Sequence, residues 1–110
     1  MTHSTPLQAS APDANIDIFI DALWLEHGLA VNSLAAYRRD LNLLSAWLNA
    51  QGTHLLAAQE SDLQQYFAHR HAETKATSAN RRLTVFKRFY RWALRERMLV
   101  ADPTLKLLTA

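Results

Sequence analysis

The sequence predicts an all-α domain built as a compact four-helix bundle. The chain is 49% hydrophobic and 20% charged, with only two glycines and three prolines among its 110 residues, a balance that favours packed helices over disorder or a β-sandwich. Apolar residues recur at spacings of three and four through most of the chain, the period of a helix with one buried face. The length provides room for one domain and one core.

Residues 1–13, with Pro6, Pro12 and small polar residues, read as a disordered leader, because they cannot bury enough surface to order themselves. From Ala14 to about His27, Ile16, Phe19, Ile20 and Leu23 mark the first helix. Asp17 and Asp21 suit its N-terminal half, and Gly28 supplies the stop. Asn32 or Ser33 is the expected N-cap of the second helix. Leu34, Tyr37, Leu41, Leu44 and Leu48 form its apolar stripe up to Gly52, with Arg38, Arg39 and Asp40 off that stripe.

The apolar "HLLAAQ" that follows reads as a buried connection, with a short strand or turn as the alternative. Ser61 and Gln64 fit a capping box for a third helix that carries Leu63, Tyr66 and Phe67 and runs to about Ala72. Thr77 or Ser78 is the expected cap of the fourth helix, ending near Met98 or Leu99 before Asp102 and Pro103. The domain is bounded at 14–104. Residues 105–110, with Leu105, Leu107 and Leu108, either pack on the bundle or begin a linker.

Composition removes several functional classes. The absence of cysteine rules out disulfides, thiolate metal sites and a cysteine nucleophile. No signal-type n-region or membrane-length apolar run is present, so a cytoplasmic protein without membrane contact is expected. His69 and His71 with Glu73 lack the spacing of a metal site, since residues two apart on a helix diverge. Asp17 with Asp21, and Glu60 with Asp62, read as helix N-terminal charge rather than as paired acid/base groups. No phosphate loop, catalytic triad, cofactor motif or small-molecule site is recognisable.

Charge is distributed unevenly. Residues 1–73 hold eight acids and three arginines, whereas 74–110 hold nine basic residues and two acids. The densest segment, "RRLTVFKRFYRWALRER" (81–97), has seven basic residues, one acid and four aromatics. On a wheel at ~100° per residue, Leu83, Phe86, Tyr90 and Leu94 share one face, with Ala93 beside them. Arg81, Arg88, Arg91 and Arg95 fall on another, with Lys87 on its flank. A solvated helix normally intersperses acids at such spacings, because like charges there repel. Arginine forks onto phosphate or a guanine edge, and a helix fits the major groove. Nucleic acid, with the major groove of double-stranded DNA as the fitting surface, is therefore the expected partner, the alternative being a solvated or protein-facing basic face.

Val85, Phe89 and Trp92 form a further apolar strip, read as core. If that strip faced outward, the chain would instead be a helical protein–protein interaction module. A smaller basic site is expected on the second helix, where Asn32, Ser33 and Arg38 lie near an N-terminus suited to phosphate.

Two segments, "NSLAAYRRDLNLLSAWL" (32–48) and "KATSANRRLTVFKRFYRWALRERMLVADP" (75–103), resemble the N-terminal core-binding domain of tyrosine recombinases. "FIDALWLEHGLAVNS" (19–33) is similar to the XerD branch in particular. The resemblance covers about residues 15–110. It implies a SAM-like four-helix domain that forms half of a clamp on a recombination site, acting with other recombinase protomers in a synaptic tetramer. A phage or integron integrase is the alternative within the family.

Carried over by position, the DNA-facing residues are Ser33, Tyr37 or Arg38, and Arg39, together with Lys75, Ser78, Arg81, Arg82 and Arg88. The wheel adds Lys87, Arg91 and Arg95. The family's strand-cleaving tyrosine lies in a C-terminal catalytic domain without a counterpart in this sequence. Tyr37, Tyr66 and Tyr90 sit in apolar stripes, and catalysis by this chain alone is not expected.

Overall fold

The computed structural model describes residues 13–71 and 75–107. The expected leader up to residue 12, the expected helix end at Ala72, and Glu73 and Leu108 lie outside these residues. Among the described residues, four α-helices and one 3-10 turn make up the regular structure and no strand occurs. The chain is all-α. It divides into two compact units, residues 1–55 and 56–110.

The first unit contains α1 (Ala14–His27) and α2 (Val31–Ala50). Asp13 caps α1 by accepting from the Asn15 N–H at 2.8 Å, so this residue belongs to the helix start rather than to a leader. Gly28 ends α1 in the left-handed conformation, φ 60°, with its N–H donating to the Trp24 carbonyl. Ile16, Phe19, Ile20 and Leu23 are buried on one face. The three-residue link turns the chain so that α2 packs on α1.

On α2 the expected stripe is buried at Leu34, Leu41, Leu44 and Leu48, while Tyr37 is half-buried. Full burial of a leucine stabilises by about 1.5–3 kcal/mol relative to exposure, so this face fixes the rotation of α2. Asp40, expected off the stripe, is buried at 2% exposure, as is Ser45 at 5%. Asp40 lies on the arc shared with Leu44 and is engaged within the chain. The cap expectation also changes. The N-cap is Ala30, which makes no side-chain capping bond, so Asn32 and Ser33 fall inside the first turn. At the other end Gly52, φ 86°, sits where the Thr53 N–H reaches back to the Leu48 carbonyl at 3.0 Å, the closure of a Schellman motif.

"HLLAAQ" forms a 3-10 turn at Leu55–Ala57, with Leu55 and Ala58 buried. In the second unit, α3 spans Glu60–His71. One half of a capping box forms two residues before the expected position: the Gln59 N–H donates to Asp62 Oδ2 at 2.8 Å. Gln64 instead donates to Glu60 Oε2, one turn back.

The last helix, α4, spans Ala76–Arg95. Its N-cap is Lys75, again without a side-chain capping bond, which places Thr77 and Ser78 in the first turn. Tyr66 and Phe67 of α3 meet Phe86 of α4, with ring centroids 5.9 and 5.6 Å apart. Phe89 lies 5.1 Å from Tyr90 and 5.9 Å from Trp92, separations at which aromatic pairs attract.

Leu83, Val85, Phe86, Phe89, Tyr90, Trp92 and Ala93 are all buried. The two apolar strips are therefore one continuous arc covering about half of the helix. Leu94, expected on the core face, sits at the edge of that arc and is 38% exposed.

The helix stops earlier than expected. Arg97 takes the left-handed conformation at φ 62°, the Arg97 N–H donates to the Leu94 carbonyl and the Met98 N–H to the Ala93 carbonyl. This is a Schellman ending without a glycine. Beyond it, Asp102 Oδ1 accepts from both the N–H and the hydroxyl of Thr104, at 2.8 and 2.6 Å. Thr104 and Leu107 are buried, whereas Leu105 is exposed.

Candidate nucleic-acid interface

The buried arc of α4 leaves the opposite side to solvent, and the arginines are concentrated there. Arg91 and Arg95 are exposed and Arg81 and Arg88 half-buried, all on the side away from Phe86 and Phe89. Among the described residues Arg91 has no ion-pair partner. Arg95 Nε contacts Glu96 Oε2 at 3.1 Å, with both side chains about half exposed, and such a pair adds little stability. Arg81 and Arg88 make interactions within the chain. A guanidinium has five donors, so an internal bond leaves others for a phosphate.

Two expected contact residues stand elsewhere. Arg82 is 4% exposed and lies within the apolar arc, between Phe89 and Ala93 on the wheel. Its burial corrects the expectation of a surface cation. Lys87 is half-buried, and its ammonium donates to the Thr104 carbonyl at 2.6 Å. That bond directs Lys87 towards the segment after α4.

The N-termini of α2 and α4 repeat one arrangement. Each begins behind a residue that makes no side-chain cap, neither has an acid in its first turn, and each places a serine third, Ser33 and Ser78. Helices α1 and α3 instead carry Asp17, and Glu60 with Asp62, in their first turns. First-turn N–H groups lack intrahelical acceptors and carry the positive end of the helix dipole. At α2 and α4 they are combined with exposed Asn32, Ser33 and Thr77 and half-buried Ser78. Lys75, at the cap of α4, is exposed as well. Reading the caps as Asn32, Ser33, Thr77 or Ser78 concealed this similarity, because a helix without a side-chain cap leaves no cap signal to locate its start.

On α2, Arg39 is exposed and lies seven residues from Asn32, on the same outward side. Among the described residues it has no ion-pair partner. Ser33 is exposed on another side of the first turn. Arg38 lies at the edge of the buried stripe and donates through Nη1 to Asp17 Oδ1 of α1, with side-chain exposures of 42% and 63%. Arg38 is thus paired with α1 while Arg39 is exposed, a difference that the adjacent positions in sequence do not reveal.

The chemistry of these surfaces is cationic and hydrogen-bond donating. No group of three or more His, Cys, Asp or Glu residues suited to a metal occurs among the described residues. No helix among them is long and apolar enough to cross a membrane. Tyr66 and Tyr90 are 1% and 0% exposed, which withholds both hydroxyls from an external phosphate.

Comparison with known proteins is consistent across the chain. The family described as phage integrase, N-terminal SAM-like domain, matches residues 16–97. The chain is 55% identical over 105 residues to tyrosine recombinase XerD of Ralstonia nicotianae, a match covering 96% of this chain and 34% of that protein. It is 44% identical over 90 residues to tyrosine recombinase XerD of Yersinia pestis, covering 81% of this chain and 30% of the relative. Against tyrosine recombinase XerD of Proteus mirabilis the identity is 43% over 98 residues, covering 88% and 31%. The chain thus spans about a third of the length of the curated relatives it matches. With a family match running from the start of α1 through the end of α4, the chain belongs to the phage integrase N-terminal SAM-like domain family.

Proposed function

We propose that this chain is a DNA-binding domain of a XerD-like site-specific tyrosine recombinase, holding a recombination site while a separate catalytic domain cuts and rejoins the strands. The observation that carries the reading is the division of α4 into a buried aromatic arc and an opposite arginine side containing Arg81, Arg88, Arg91 and Arg95. Such a helix offers forked donors to phosphates and base edges along a groove. Arg39 and the first turns of α2 and α4, with Ser33, Lys75 and Ser78, add donors of the same kind. Arg38 contributes in its Asp17-paired state. Arg82 and Lys87 act inside the fold.

The relatives are named as XerD recombinases, which favours that branch over a phage or integron integrase. Their greater length supports assigning strand cleavage, and much of the contact among protomers in a tetramer, to parts of a larger protein. Burial of Val85, Phe89 and Trp92 removes the apolar strip on which a protein-interaction module would rely. A cytoplasmic DNA-bound location accompanies this function.

The test is a salt titration of binding to a duplex carrying an inverted-repeat recombination site and to a scrambled duplex of equal length. Tighter binding to the site, with log affinity falling steeply against log salt for both duplexes, is the expected result. Absence of binding to either duplex at low salt would reject the assignment.

A further inference from the structure

The Asp17–Arg38 pair joins the first turn of α1 to α2 and includes one of the residues assigned above to DNA. We propose that Asp17 is a specificity-determining positioning residue: it cancels the net charge of Arg38 while fixing the direction of its remaining donors. This inference rests on the DNA-binding reading and deepens it.

An unpaired arginine attracts any phosphate, because the attraction depends on net charge and is indifferent to sequence. A carboxylate bonded to Nη1 offsets that charge at separations beyond a few ångströms. It leaves the guanidinium with further N–H groups in a fixed planar fork. The paired arginine is therefore a poor collector of phosphate at a distance and a directional donor at contact. Sequence discrimination requires this combination, since distant phosphate attraction strengthens correct and incorrect sites alike.

The position of the pair favours this role over simple helix stabilisation. Both side chains are substantially exposed, so their bond contributes little to holding α1 on α2. Ile16, Phe19, Leu41 and Leu44 are buried and perform that task. Arg39, the next residue, is exposed and has no ion-pair partner among the described residues. Adjacent arginines thus differ: Arg39 is available for general attraction, and Arg38 is directed by Asp17.

The experiment measures binding of the 110-residue chain to a site duplex and a scrambled duplex across a salt series. It compares wild type, Asp17→Asn, Arg38→Gln and the double variant. Asp21→Asn serves as a control, since Asp21 is an exposed acid on α1 that takes no part in the pair. Asp17→Asn is expected to tighten binding to the scrambled duplex. Its log–log salt slope should steepen by about 0.9, the increment for one additional effective phosphate contact, and the preference for the site should narrow.

In the Arg38→Gln background the Asp17 substitution should have no further effect, and Asp21→Asn should leave the preference unchanged. Melting curves of the variants should lie close to wild type, Asp17→Asn losing no more than its small helix-dipole contribution. Binding by wild type with an unchanged preference in Asp17→Asn would overturn this inference alone. An equal effect of Asp17→Asn with and without Arg38 would also overturn it, by reducing Asp17 to background charge. Absence of DNA binding by wild type would overturn the underlying DNA-binding reading.

Discussion

Lys87 of α4 donates a 2.6 Å hydrogen bond to the main-chain carbonyl of Thr104, sixteen residues of chain lying between them. Thr104 is itself 1% exposed and is held by two bonds to Asp102. A cation that the wheel places beside the arginine stripe is therefore a fastener for the segment that leaves α4. Lys87→Met keeps much of the aliphatic stem and removes the donor, leaving a part-buried carbonyl without that partner. The expected loss is about 1–2 kcal/mol, with faster amide exchange at Leu107, whose N–H donates to the same carbonyl. DNA affinity should change less than in Arg91→Ala. Hydrogen exchange and urea titration provide the check.

Arg91 is exposed on the polar side of α4 and has no ion-pair partner among the described residues. Its removal affects neither the aromatic arc nor a cap. Arg91→Ala should leave the urea midpoint within about 0.5 kcal/mol of wild type. If Arg91 contacts phosphate, the salt slope of DNA binding should fall by about 0.9. An unchanged slope would exclude Arg91 from the phosphate-contacting set.

Arg82 reverses that pattern. At 4% exposure and engaged within the chain, it contributes to the interior, and truncation leaves both a void and former partners unsatisfied. Arg82→Ala should destabilise the protein by roughly 3 kcal/mol. Any loss of DNA binding should then follow the unfolded fraction rather than the number of phosphate contacts. Binding measured alongside the melting curve separates the two causes.

These two arginines also show what the sequence makes legible. Both occur in the same basic run, but the period of α4 places Arg82 between Phe89 and Ala93 and Arg91 opposite them. The wheel contains that distinction, whereas position within a family motif does not. The bounds of α1 are readable because Asp17 and Gly28 give local signals, although Asp13, grouped with the leader, proves to be the cap.

The starts of α2 and α4 are less readable because Ala30 and Lys75 occupy the cap positions without a capping side chain. Burial of Asp40 and the Asp17–Arg38 bond depend on how elements pack. Periodicity within one helix cannot report a partner on another. Of the proposed contact surface, the α4 stripe was therefore legible, and the separation of Arg38 from Arg39 was not.

The two Schellman endings allow a backbone prediction that requires no knowledge of DNA. Gly52 occupies the left-handed position after α2 at φ 86°, and Arg97 occupies the corresponding position after α4 at φ 62°. A side chain with a Cβ costs roughly 1–2 kcal/mol in that region, offset in part because glycine adds entropy to the unfolded chain. Arg97→Gly should therefore stabilise by about 1 kcal/mol, raising the melting temperature by roughly 4–8 °C for a domain of this size.

Gly28 provides the reciprocal test. Its φ is 60°, and a Cβ added there would meet no atom within 4 Å. Gly28→Ala should cost about 1 kcal/mol through backbone strain alone. Thermal melts of both variants that moved in the same direction would contradict the left-handed assignment of at least one helix end.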